Sequence, residues 1–222
     1  MASRTMFLLD IVLVIMSVLT AFEAKEVQRK EVNGIVHGNV FLTPNTHVPE
    51  DCRKIEWSFN DTLRILTTEN NGTVEYHNQS LKKRFIYHKN NTLEIIMLQE
   101  SDASTYRVDI KLTSGAVERE NIQLDVYDHV SKPKLTLLDK KEEGGWCNVT
   151  LHCVASGKGV IYQWWKDDDP LYEMGSNLMV TLHSEKKALY KCNASNPVSS
   201  ETSTMHYEKP CTFEGNTQTA FL

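Results

Sequence analysis

Five cysteines, six Asn-x-Ser/Thr triplets and a run of three aspartates are the features of this 222-residue chain best placed to do chemistry. Cysteines that pair in an oxidising compartment form disulfides, and asparagines in such triplets accept an oligosaccharide; both reactions belong to an exported chain. The triplets begin at Asn60, Asn71, Asn78, Asn90, Asn148 and Asn193, where this composition predicts about two by chance. Cys153 and Cys192 read as one bridge. Cys147, six residues before Cys153, and Cys211, at the end of the last β segment, form the natural remaining pair. Cys52, in HVPEDCRK, is left over as a free or capped thiol, a link between two copies, or a member of a rearranged internal pair. Asp167, Asp168 and Asp169 could attract a cation, but their place between two tryptophans and Pro170 is that of a polar turn. The eight histidines show no metal-binding spacing, no Gly-rich loop follows a strand, and no Ser, Cys and His set suggests a nucleophile. The chain reads as a non-enzyme without cofactor or metal.

The elements that position these residues are short and extended. Apolar residues alternate in brief runs separated by Asn, Gly, Ser, Asp and Pro, with no sustained helical period. IEWSF places Ile55, Trp57 and Phe59 on one face, and TYRVDIKL places Tyr106, Val108, Ile110 and Leu112 on one face. After HVSKPK the pattern starts again with KLTLL, VTLHCV, VIYQWW, LMVTL and LYKCNA. Residues 6–19, behind Arg4, form a short apolar run expected to be a signal peptide cleaved after Ala21 or Ala24. The segment after Cys211 is polar and lacks the apolar tail of an anchor signal, so a secreted product is expected. A formal net charge of −5 and the lack of a basic run exclude a polycationic nucleic-acid or membrane-surface binder.

Two halves of this size fit immunoglobulin-type sandwiches. In the second half Trp164 lies between Cys153 and Cys192, and Tyr190 sits two residues before the second cysteine, the pattern of strands B, C and F. In the first half Leu93, Ile95, Leu98, Asp102 and Tyr106 have the offsets of a variable-type E–F corner, with Arg84 placed to pair with Asp102. The position two residues after Tyr106 is Val108, not cysteine, and its strand B partner falls near Leu42 or Pro44. An aliphatic pair thus replaces the inter-sheet bond. The expected fold is all-β: two tandem immunoglobulin-like sandwiches, the first variable-like without an inter-sheet disulfide, the second constant-like with two disulfides. The expected organisation is a signal peptide at 1–24, a variable-like domain at 25–128 and a linker at 129–133. A constant-like domain at 134–211 and a polar tail at 212–222 follow. The short spacing of the core cysteines predicts no extra edge strand in the second half.

Several stretches carry a family resemblance: VNGIVHGNVFL, KIEWSF, the DASTY corner, YDHVSKPKL, CNVTLHC and LYKCNASNPVSS. Over residues 30–211 the chain resembles the SLAM family of leukocyte receptors within the immunoglobulin superfamily. It is most similar to the family's glycolipid-anchored ligand member. The resemblance implies recognition of a SLAM-family ectodomain through the G–F–C–C′–C″ sheet of the first domain. The family's natural killer receptor is the first choice of partner and the related T-cell adhesion receptor the second. A monomer without an anchor would act as a soluble decoy, either a virus-encoded immune-evasion protein or a secreted host isoform. A Cys52-linked dimer would instead be a bivalent adhesion or co-stimulatory protein.

On that sheet the alternation turns Glu56 and Ser58 of strand C outward, beside Asn60. Strand F then exposes Arg107, Asp109 and Lys111, strand C′ projects Arg64, and the turn toward strand G adds Glu118, Arg119 and Glu120. These nine residues other than Asn60 are the expected receptor contacts, with an Asn60 glycan beside them. Trp165 is expected to point away from the core that holds Trp164.

Overall fold

A computed structural model describes residues 30–143, 146–182 and 187–208. The expected signal peptide, polar tail and Cys211 lie outside the described residues. The first sandwich contains β1 (Lys30–Ile35), β2 (Val40–Leu42), β3 (Cys52–Phe59), β4 (Leu63–Glu69) and β5 (Val74–Tyr76). It continues with β6 (Phe85–Tyr87), β7 (Leu93–Ile95), β8 (Ser104–Leu112) and β9 (Val117–Tyr127). Six strands form one sheet in the order β1-β9-β8-β3-β4-β5, and β2-β7-β6 form the other. This is the variable-type arrangement, with strands C′ and C″ added to the G–F–C sheet.

Period-two alternation puts Trp57, Tyr106, Val108 and Ile110 between the sheets, where all four are buried. Val108 and Leu42 are fully buried in that cluster, so aliphatic packing stands where a bond between the sheets would be. Phe59 meets the Tyr106 ring edge-on at 5.3 Å. The E–F corner forms as its residue offsets require. Tyr106 Oη donates to the Asp102 carbonyl at 3.0 Å. The Asp102 carboxylate accepts from the Gln99 backbone N–H at 2.8 Å and from Arg84. Burial foremost pushes the Tyr106 phenol pKa up, so the hydroxyl remains a donor.

The second sandwich comprises β10 (Lys134–Glu143), β11 (Trp146–Val154), β12 (Ile161–Lys166), β13 (Asp169–Met174), β14 (Asn177–Leu182), β15 (Lys187–Asn196) and β16 (Ser199–Glu208). Its sheets run β10-β11-β14 and β13-β12-β15-β16. Against the expectation of no extra edge strand, the second sandwich carries one. β13 is an edge strand that hydrogen-bonds to β12, so the strand between C and E joins the C–F–G sheet rather than the sheet of β14. Cys153 and Cys192 are bonded and fully buried beside Trp164, whose Nε1–H donates to the Gly175 carbonyl at 2.9 Å. A closed loop of 39 residues stabilises the fold by about 4 kcal/mol through the unfolded chain. Cys147 is fully buried and disulfide-bonded.

The stretch before β10 is pinned rather than loose. Val130 is buried and its N–H donates to Ser199 Oγ at 2.8 Å. Ser131 N–H donates to the Ser156 carbonyl, Ser156 N–H returns a bond to Ser131 Oγ, and Asn196 Nδ2 donates to the Asp128 carbonyl. Pro133 cannot extend a strand ladder, yet side-chain bonds replace the missing ladder.

The corner yields the first prediction. Asp102→Ala leaves the Gln99 N–H and Arg84 without their acceptor and should cost about 3 kcal/mol in urea unfolding. Adding Arg84→Ala to that variant should cost little more. Full additivity of the two losses would show that they do not act as a pair.

Candidate functional site

The outer face of the six-stranded sheet is organised by the hairpin of β3 and β4. Asn60 and Asp61 both have positive φ, 48° and 54°, and Thr62 N–H closes the turn on the Phe59 carbonyl at 3.3 Å. This turn matches the natural twist of a hairpin, and Asn and Asp tolerate its left-handed backbone. The turn sets the register in which Ser58 faces Arg64 and Glu56 faces Thr67, with a bulge between Trp57 and Ser58. On the other side β8 places Asp109 opposite Glu56 and Arg107 opposite Ser58. β9 then places Arg119 opposite Asp109 and Asn121 opposite Arg107.

Two carboxylates sit at the centre of this face, and each is shared by two cations. Glu56 takes Arg64 Nε at 3.0 Å and Lys111 Nζ at 3.0 Å. Asp109 accepts Arg119 Nε at 2.8 Å and Nη2 at 3.3 Å, with Arg107 Nε 3.5 Å away. Arg107 also bridges to Asp61 in the hairpin turn. Burial alone would push the Glu56 carboxyl up. The hydrogen bond and charge of Lys111, joined by Arg64, outweigh it and hold the group below its ordinary range.

The expected contacts therefore divide. Arg64, Arg107, Lys111 and Arg119 share the outer face, Arg64 and Arg119 being the most exposed, with side chains 51% and 55% accessible. Glu56, Ser58 and Asp109 lie on that face but are buried beneath it, at 8%, 5% and 6% exposure. The alternation predicts them exposed; instead Arg64 and Lys111 pair over Glu56, and Arg107 and Arg119 over Asp109. Glu118, Arg119 and Glu120 lie within β9, not in the turn, which spans residues 113–116. Alternation then turns Glu118 and Glu120 to the opposite side from Arg119. Glu120 secures the loop before β3 by accepting the N–H groups of Asn45 and Thr46 and the Thr46 hydroxyl, at 2.8–3.0 Å. Asp61, Thr67 and Asn121 belong to the face and were missed. The Asn-Asp turn was the signal for Asp61; the other two required the phase of β4 and β9.

Cys52 is the free cysteine among the described residues and is buried. Burial pushes its thiol pKa up, with the Asp51 charge adding to the effect against the Lys54 backbone bond. A covered, protonated thiol is poorly placed to link two copies. Asn60, Asn71, Asn78, Asn90 and Asn148 are exposed at their turns or strand surface, and Asn193 is partly so. Asp167 and Asp168 form a positive-φ turn, where Asp167 Oδ1 accepts Leu189 N–H and Asp168 pairs with Lys191. Trp165 faces away from the core and lies under Lys191, 5.0 Å from its ring centroid.

A variable-type sandwich with a charged outer face, followed by a second immunoglobulin-type sandwich, is a tandem immunoglobulin-like architecture. No family model matches the chain. It is 27% identical over 209 residues to CD48 antigen from Homo sapiens, covering 92% of this chain and 84% of that protein. It is 30% identical over 185 residues to natural killer cell receptor 2B4 from Homo sapiens, covering 77% and 49%. With SLAM family member 5 from Mus musculus the identity is 28% over 194 residues, covering 85% and 57%. The chain thus spans about half the length of the last two relatives. The solved structure of murine CEACAM1b aligns with a TM-score of 0.63 at 18% identity, over 81% of this chain and 97% of that one, a likeness of fold alone. Over most of its length the chain is similar to SLAM-family proteins and is CD48-like, an immunoglobulin-type immune receptor or ligand.

Because the Glu56 carboxyl is held below its ordinary value of about 4.3, its stabilising effect is complete above that value. The effect fades as pH falls through the lower folded value. Glu56→Gln should flatten the acid limb of the stability profile there, and an unchanged limb would refute the coupling. Cys52 should react with a thiol reagent at least about tenfold more slowly in the native protein than in urea. Equal rates would contradict its burial.

Proposed function

We propose that this chain is a recognition protein, not a catalyst, and that it binds a SLAM-family ectodomain through the outer face of β9, β8, β3 and β4. The natural killer receptor of the family is the first candidate and the T-cell adhesion receptor the second. One observation carries the reading: both central carboxylates are held by paired cations, so the face is ordered before a partner arrives. Side chains already fixed lose little freedom on docking, and paired charges favour specificity and encounter rate over bulk affinity. Similarity to SLAM-family proteins supports a SLAM-family partner in general terms.

The finer reading is a released copy. A ligand fixed to a cell clusters its receptor at the contact, whereas a monovalent soluble copy occupies the receptor and blocks signalling. A virus-encoded immune-evasion decoy and a secreted host isoform would both act in this way. The burial of Cys52 disfavours the alternative of a covalently bridged adhesion dimer. The variable-like domain is proposed to span 25–128, the linker 129–133 and the constant-like domain 134–211.

Surface plasmon resonance against purified SLAM-family ectodomains tests the binding, with Arg107→Glu as the variant. Reversal places a carboxylate beside Asp61 and Asp109 and should weaken the tightest interaction at least about tenfold, or 1.4 kcal/mol. No binding to any member, or binding that ignores the reversal, would reject the proposed face. Release is read by partition between medium and cell surface; full retention on the cells would remove the decoy reading.

A further inference from the structure

Each outer face of the second sandwich carries a triplet asparagine in mid-strand, next to exposed apolar side chains. On β11, Cys147, Val149 and Leu151 are buried, so Trp146, Asn148 and Thr150 face outward. Asn148 lies opposite Thr181 of β14, whose hydroxyl donates to Asn148 Oδ1 at 2.7 Å. On the same face Trp146 is 50% exposed, and Met179, opposite Thr150, is 79% exposed.

The other sheet repeats the arrangement. Asn193 of β15 lies between Gln163 of β12 and Thr202 of β16. The Ser200 and Thr202 hydroxyls donate to Asn193 Oδ1 at 2.7 and 3.0 Å. Ile161, 62% exposed, lies opposite Ser195, and Trp165 lies opposite Lys191, one outward position away from Asn193 on either side. In both sheets these bonds fix the side chain through Oδ1 and leave Nδ2 out of them.

The first sandwich is built differently. Asn71, Asn78 and Asn90 sit in turns, where Oδ1 accepts the backbone N–H two residues on, from Thr73, Ser80 and Thr92. Asn60 is in the hairpin turn, and no triplet falls within a strand of the six-stranded sheet.

We infer that Asn148 and Asn193 carry N-linked oligosaccharides and that these sugars cover the apolar residues on both faces of the second sandwich. In the attachment Nδ2 loses a proton and bonds to the anomeric carbon of a lipid-pyrophosphate-linked oligosaccharide. The bond from that carbon to the pyrophosphate oxygen breaks, and the lipid pyrophosphate leaves. A bulky hydrated glycan anchored in mid-face solubilises surface that would otherwise invite association. The C–H faces of its first sugars provide apolar contact for Trp146 and Met179 on one sheet, and for Ile161 and Trp165 on the other. The second sandwich is thereby insulated on both sides, and the charged face of the first is left open. The inference rests on export of the chain and not on its receptor.

The test uses the full chain expressed in mammalian cells. Peptide mass spectrometry should find both asparagines occupied. Asn148→Gln and Asn193→Gln should each raise binding of an apolar-surface dye several-fold and promote self-association, whereas Asn71→Gln and Asn90→Gln should do neither. Adding Met179→Lys to the first variant, or Ile161→Lys to the second, should reverse the rise. If a variant is not exported, enzymatic removal of glycans from the folded wild type gives the same reading. Unoccupied asparagines, or dye binding unchanged after removal, would overturn the inference. Receptor binding lost with unchanged dye binding would bear on the proposed function instead.

Discussion

Strand β3 ties the buried centre of the first sandwich to its outer surface. Trp57 points inward at 0% exposure into a core that no disulfide crosses, and Glu56, its neighbour, points outward and is also buried. A carboxylate withdrawn from water must be neutralised by nearby groups, or it loses its charge or destabilises the fold. That need accounts for Lys111 on one neighbouring strand and Arg64 on the other. Any displacement of β3 that disturbed the Trp57 packing would also pull Glu56 away from its cations. Core and face are therefore coupled through the pleat.

The two sandwiches solve the same packing problem by different means. The second bonds its sheets covalently at Cys153 and Cys192, around Trp164. The first sets Val108 and Leu42 where a bridge would stand and depends on van der Waals contact around Trp57. Packing of this kind is sensitive to the position of every strand. The Arg84–Asp102–Tyr106 corner meets that demand by fixing the entry to β8, the strand that supplies Tyr106, Val108 and Ile110 to the core and Arg107, Asp109 and Lys111 to the face.

Period-two alternation made the core faces of β3 and β8 legible in the sequence, because hydrophobic residues mark one side without reference to any other strand. The Cys153, Trp164 and Cys192 spacing and the corner offsets were legible for a similar reason: each depends on local geometry. What escaped depended on distant partners. Glu120 looked like a loop charge because the turn was placed too late; once β9 begins at Val117, alternation sends Glu120 to the loop at Asn45 and Thr46. The burial of Glu56 and Asp109 could not be read from their own strands, since Arg64, Lys111 and Arg119, three of the four cations paired with them, come from neighbouring ones. A bulge between Cys52 and Lys54 breaks the register at the start of β3, where Cys52 is buried.

On the proposed reading, a face with its carboxylates already neutralised would discriminate by what it refuses. A partner carboxylate can approach Arg64 or Arg119, both half-exposed, and share their charge without uncovering Glu56 or Asp109. A partner cation finds no open anion at the centre of the face and would have to compete with an existing guanidinium for Asp109. Such a contact leaves one charge desolvated and unpaired, a penalty larger than the gain from one surface ion pair. On that reading a wrong partner would be excluded by the unpaired charge more than the right one is favoured by attraction. If the face binds as proposed, the cation-bound carboxylates of β3 and β8 also set the sign of charge that it accepts.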